Sequence, residues 1–119
     1  MRVILIGLMF FLTITLQAEN KKKLYSITID VEAKKANGKS WDVFGGSPDI
    51  KVVIDGETFY SPTKCKDRYR CTMEFTSVKD KWYIEVYDKD LQSDDLIGKG
   101  DCKDGEECKF GLVTISISD

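Results

Sequence analysis

KWYIEVYDKDLQSDDLIG, Lys81 to Gly98, carries two signals in one stretch. It opens as a β-type run, Lys81 to Tyr87. It then places four aspartates within eight residues, Asp88, Asp90, Asp94 and Asp95, before returning to the apolar Leu96-Ile97. At roughly 6 Å and an effective dielectric near 20, each pair of like charges costs about 3 kcal/mol. Either this loop splays into water and sheds most of that penalty, or a cation belongs there.

The segments on either side read the same way as the run itself. Upstream, CTMEFTSV (Cys71 to Val78) is a strand separated from KWYIEVYD by Lys79-Asp80. Further back, LYSITIDVEA (Leu24 to Ala33) alternates Tyr25, Ile27, Ile29 and Val31 with polar partners, the period of a half-buried strand. DIKVVI (Asp49 to Ile54) is another strand, and Asp55-Gly56 signals a hairpin turn into ETFYSPTK. Pro62 marks an edge position or a strand end there. Between Ala33 and Asp49, KKANGKSWDVFGGSP is rich in Gly and Asn and reads as a long loop. Downstream, LIGKGDC and CKFGLVTISIS close the chain around an Asp104-Gly105 turn. About seven short strands with turns every eight to twelve residues, and no sustained helical period, predict an antiparallel β-sandwich. No repeat or linker divides it.

The chain begins differently. Arg2 precedes an almost uninterrupted apolar block, Val3 to Leu16, and Ala18 stands just before the polar Glu19 to Lys23. That is the layout of a secretory signal peptide over residues 1–18, leaving 19–119 as a single domain. The block is short of the roughly 20 residues that cross a bilayer. The expectation is therefore an exported chain, secreted or periplasmic and not transmembrane after cleavage. Removing Arg2 changes 18 basic against 20 acidic residues to 17 against 20, a net charge near −3. That is not the basic profile of a nucleic-acid binder. All four cysteines lie in the mature part, spaced C-x5-C twice, and in an exported chain they are expected as disulfides. The short spacing favours Cys65–Cys71 and Cys102–Cys108. Zinc is disfavoured, because the chain has no His and no C-x2-C.

A second acidic loop lies upstream of the first. In SWDVFGGSPDIKVVI, Asp42 and Asp49 bracket a Gly-Gly turn. Asp and Gly are ordinary turn residues, but Asp49 begins one strand and Asp88 ends another, so the two loops would converge at one end of a sandwich. Calcium takes six to eight oxygens at roughly 2.3–2.6 Å. Asp42, Asp49, Asp88, Asp90 and one of Asp94 or Asp95 would supply enough for one ion and room for two. An EF-hand is rejected. Counted from Asp88, the position that needs Gly is Ser93 and the one that needs Glu is Lys99.

DVFGGSPDIKVVI resembles the first calcium loop and following strand of a C2 domain, and IEVYDKDLQSDDLIG resembles the third calcium loop of that family. The resemblance spans about Leu24 to Ile117. It implies an eight-stranded sandwich with Asp42 and Asp49 as first-loop calcium ligands. Asp88, Asp90 and Asp95 follow from the third loop, with Asp94 competing for the last role. Ile50 stands where the family usually has Pro, the first loop is longer by one residue and the third is shorter. The resemblance further implies docking on anionic phospholipid, with Val43, Phe44 and Leu91 near the loop tips. Phe44 and Trp41 have core packing as the alternative. KCKDRYRC falls at the family's second top loop, where Lys64, Lys66, Arg68 and Arg70 form a basic cluster for anionic headgroups; Asp67 is a minor candidate ligand. Extracellular calcium would already fill a site of the 10⁻⁴–10⁻³ M class. The second hypothesis is therefore a calcium-stabilised, disulfide-stapled module binding a protein partner or cell surface. Without His, G-x-S-x-G or a free thiol, enzymatic activity is not expected.

Overall fold

The computed structural model describes residues 21–35, 37–39, 47–90 and 94–119. The leader at 1–18, together with Trp41, Asp42, Val43, Phe44 and Leu91, lies outside them. Eight strands form among the described residues: β1 (Lys23–Val31), β2 (Ile50–Ile54), β3 (Glu57–Phe59), β4 (Arg70–Ser77), β5 (Lys81–Asp88), β6 (Asp95–Lys103), β7 (Glu107–Phe110) and β8 (Val113–Ser118). They pair antiparallel in two four-stranded sheets, ordered β4-β1-β8-β7 and β3-β2-β5-β6. The expected antiparallel β-sandwich is the fold.

Alternation builds the core. Every second residue of β1, β2, β4, β5 and β8 is buried, so Ile27, Ile29, Ile50, Val52, Ile84, Val86, Ile115 and Ile117 meet between the layers. Successive strand side chains point to opposite faces, and this pattern leaves one face wet on each sheet.

The turns do two different jobs. Asp55-Gly56 closes a two-residue hairpin between β2 and β3, with φ of 47° and 85°, the geometry that the Asp-Gly pair favours. β3 then ends at Phe59, on the edge of its sheet and before Pro62. Lys79-Asp80 and Asp104-Gly105, by contrast, carry the chain from one sheet to the other. CKFGLVTISIS proves to be two strands rather than one. Gly111, at φ 59°, turns the chain so that Phe110 pairs with Val113, which supplies the eighth strand.

Both expected disulfides are present, with Cα–Cα distances of 5.0 Å for Cys65–Cys71 and 5.8 Å for Cys102–Cys108. Cys102 sits on β6 and Cys108 on β7, so this bridge links the two sheets directly. Cys71 is the second residue of β4, and the Cys65 carbonyl accepts the Ile50 N–H at 2.9 Å. The first bridge thereby ties β4 to β2 at the opposite end. Two disulfides fit an extracellular or otherwise oxidising environment. No helix among the described residues is long and apolar enough to cross a membrane.

The sheets approach closely over β6. A Cβ on Gly98 would lie 2.4 Å from the Phe110 carbonyl oxygen and 2.7 Å from Val113 Cγ1. Overpacking of this kind costs about 1–3 kcal/mol. Gly98→Ala is expected to lower the urea midpoint accordingly; an unchanged midpoint would show that β6 and β7 can part without loss.

Candidate functional site

One end of the sandwich gathers the end of β5 and the starts of β2, β4 and β6. Register pairs Ile50 with Asp88 and Asp88 with Asp95. Asp88 continues the inward set of Trp82, Ile84 and Val86, so its carboxylate is the one buried charged group of the described core, 8% exposed. Inward alternation normally ends in an apolar residue; here it ends in a charge.

The neighbouring loops close on it. The Asp49 N–H donates to Asp88 Oδ1 at 3.0 Å, and the Lys89 N–H donates to the Asp49 carbonyl at 2.8 Å. Asp67 N–H donates to Asp49 Oδ1 at 2.6 Å, while Asp67 Oδ1 accepts the Ser47 N–H at 3.0 Å. Asp88 at the end of β5 and two acidic residues from separate loops are thus linked in one chain of hydrogen bonds. Asp67 enters at φ 55°, a conformation that Asp tolerates better than most residues.

Electrostatics sets Asp88 apart. Burial pushes its pKa up, the charges of Asp49, Asp95 and Asp90 push it further, and the Asp49 N–H opposes the shift. Asp94 behaves in the opposite way. Its hydrogen bond from Lys51 comes first, and the Asp90 N–H donated to Asp94 Oδ1 at 2.9 Å follows, holding its pKa below the ordinary value. Lys51 Nζ bonds Asp94 Oδ2 and lies 5.0 Å over the Tyr87 ring. Asp95 has Lys35 Nζ at 3.6 Å, and both side chains are partly exposed.

Of the expected ligands, the structure brings Asp49 and Asp88 together and sets Asp90 and Asp95 near enough to act on Asp88 electrostatically. It turns Asp94 toward Lys51. Asp42, Val43, Phe44 and Leu91 lie outside the described residues. Two features were missed in the sequence: the lysines that answer Asp94 and Asp95, and the role of Asp67 in joining the loops. Lys51 is an outward position of a strand, so its alternation with Ile50 and Val52 was the available signal.

Oxygen donors of this kind suit a hard cation such as calcium, and a buried carboxylate with other carboxylates near it is the observation that fits one. Among the described residues no three His, Cys, Asp or Glu side chains form a metal-holding group on their own. Asp49 and Asp88 would hold the ion from the β2 and β5 side, with Asp95 nearest them in register.

The same end carries the basic residues. Lys64, Lys66, Arg68 and Arg70 are all exposed, and Arg70 Nε stands 3.6 Å from Asp30 Oδ1. Lys64, Arg68 and Arg70 line an open groove of about 500 Å³ together with Thr63, Cys71 and Thr72. All four cysteines are in disulfides. No model of a known protein family matches the chain, and no curated protein matches it.

Proposed function

We propose that the protein is an exported calcium-binding module, similar to a C2 domain, that docks on anionic phospholipid membranes. One observation carries this reading: Asp88 is a buried carboxylate at a loop-bearing end of a β-sandwich, and Asp49, Asp90 and Asp95 are the charges acting on it. Bound calcium supplies the missing positive charge and reverses the sign of that end. Asp49 and Asp88 hold it, and the hydrogen bonds from Asp67 and Asp49 fix their orientation beforehand. Val43, Phe44 and Leu91 are the residues proposed to enter the interface, each contributing at most about 1.5–3 kcal/mol of apolar burial.

A second reading has its own observation. The Asp49–Asp88 contact extends the β2–β5 pairing, and the adjoining 60–69 loop is stapled by Cys65–Cys71. Calcium there would act as a clamp on a module that binds a protein partner or cell surface. Co-sedimentation separates the two. Vesicles rich in phosphatidylserine should pellet the protein in millimolar calcium and release it on chelation. A protein that calcium stabilises, but that stays in the supernatant at every anionic-lipid content, is the clamp.

A further inference from the structure

The 60–69 loop is held far more firmly than a solvated turn needs. Besides the Cys65–Cys71 bridge, the Cys65 N–H donates to Ser61 O at 2.8 Å and the Arg68 N–H to Pro48 O at 2.9 Å. The Val31 N–H donates to Tyr69 O at 2.8 Å, and the Lys64 N–H to Ser61 Oγ at 3.2 Å. Asp67 is fixed from both sides, through its own N–H to Asp49 and its carboxylate from Ser47. The scaffold keeps Lys64 and Arg68 beside Arg70 of β4 along one groove, with Thr63 and Thr72, whose hydroxyls also bond those of Ser61 and Thr28, in its wall. Three cations carried beside one another repel. The backbone that carries them is ordered in advance, so an arriving anion has only their exposed side chains to order.

We infer that this groove binds a linear sulfated polysaccharide without calcium. The two guanidiniums present planar forks of N–H donors, which suit the oxygens of an oxyanion, and the threonine hydroxyls can donate to or accept from sugar hydroxyls. At about 500 Å³ the groove is in the range of ordinary ligand sites. It borders β4, the edge strand of its sheet, so a chain longer than the groove meets no further strand there. Among the described residues, the loop itself offers a partner more charge than apolar surface. Of the exposed large apolar residues among those described, Leu24, Tyr69, Val78, Tyr83 and Leu96, only Tyr69 belongs to this loop. A bilayer contact draws on inserted apolar surface as well as charge. The Arg70–Asp30 pair is exposed and weak, and an entering sulfate displaces it at little cost.

The test is calorimetric titration of the full protein, in chelator, with a defined fully sulfated oligosaccharide. Binding is expected, weakening as salt rises. Arg68→Gln with Arg70→Gln should weaken it at least tenfold while leaving the melting midpoint in place, since both side chains are exposed. Asp88→Asn should leave it unchanged, which separates this site from the calcium reading. Absence of binding, or equal binding by the double-arginine variant, overturns the inference. So does tighter binding, through the same arginines and in chelator, to phosphatidylserine vesicles, which would assign the groove to lipid headgroups.

Discussion

In chelator, Asp88→Asn raises the thermal midpoint of the protein; in millimolar calcium, wild type rises sharply and the variant does not. The first half follows from the sign of the Asp88 shift. A carboxyl whose pKa is raised on folding favours the folded state while protonated. Its contribution is present below the ordinary carboxylate pKa and is lost as pH rises through the folded value. At neutral pH the ionised Asp88 is therefore a cost, set by burial and by Asp49, Asp95 and Asp90. Asparagine removes the charge and keeps an Oδ1 to accept the Asp49 N–H. The gain over wild type should grow from acid to neutral pH. A gain of 1 kcal/mol moves Tm by about 4–8 °C in a domain this size.

The second half is mass action. Calcium at about 100 times its Kd stabilises by about 2.7 kcal/mol, a rise in Tm of roughly 10 °C or more. Adding Asp90→Asn to Asp88→Asn should leave no response. A wild-type midpoint that ignores calcium sinks the metal site. A variant less stable than wild type in chelator would show that the buried charge is not a strain at all. Asp94 follows the opposite course with pH: its lowered pKa gives stability above the ordinary carboxylate range that is lost as pH falls.

The strands were legible because their signal is local. Tyr25, Ile27, Ile29 and Val31 announce β1 by period alone, and Asp55-Gly56 announces its hairpin by turn chemistry. Gly111-Leu112 carried no such pair, and the apolar Phe110-Gly111-Leu112 run hid the turn inside what looked like one strand. Whether a turn folds back within its sheet or crosses to the other depends on partners far away in sequence, so Lys79-Asp80 looked like any turn.

The candidate site divides along the same line. Convergence of Asp49 and Asp88 followed from one residue starting a strand and the other ending its neighbour. Which of Asp94 and Asp95 pairs with Asp88 could not be read, because it rests on a bulge. Val86 lies opposite Gly98 and Tyr87 opposite Leu96, so Ile97 is the extra residue, and this register puts Asp95 beside Asp88. Lys51 and Lys35 answer Asp94 and Asp95 across 43 and 60 positions respectively, distances that no local pattern reports.

The largest loss of stability is expected far from the acidic loops. Trp82 is 2% exposed and is the second residue of β5, six residues before Asp88 and roughly 20 Å from it along the strand. Its ring lies edge-on to Tyr25 at 4.8 Å and to Phe75 at 5.2 Å, joining β5 of one sheet to β1 and β4 of the other. Its Nε1–H donates to Ser77 Oγ at 3.0 Å. Trp82→Ala should cost about 3–5 kcal/mol, against a total of about 5–15 kcal/mol for an ordinary domain. Trp82→Phe keeps much of the ring contact and loses the indole donor, so about 1–2 kcal/mol is expected. Ser77→Ala leaves the indole N–H without that partner and should cost about 1–3 kcal/mol. A Trp82→Ala loss below about 1 kcal/mol would mean that this aromatic cluster does not hold the sheets together. Because the two positions are well separated, Trp82→Phe and Asp88→Asn should add to within about 0.5 kcal/mol. Trp82→Phe alone should keep the full calcium-induced rise. If it loses that rise, stabilisation by calcium is not local to the Asp49–Asp88 end but spread through the core.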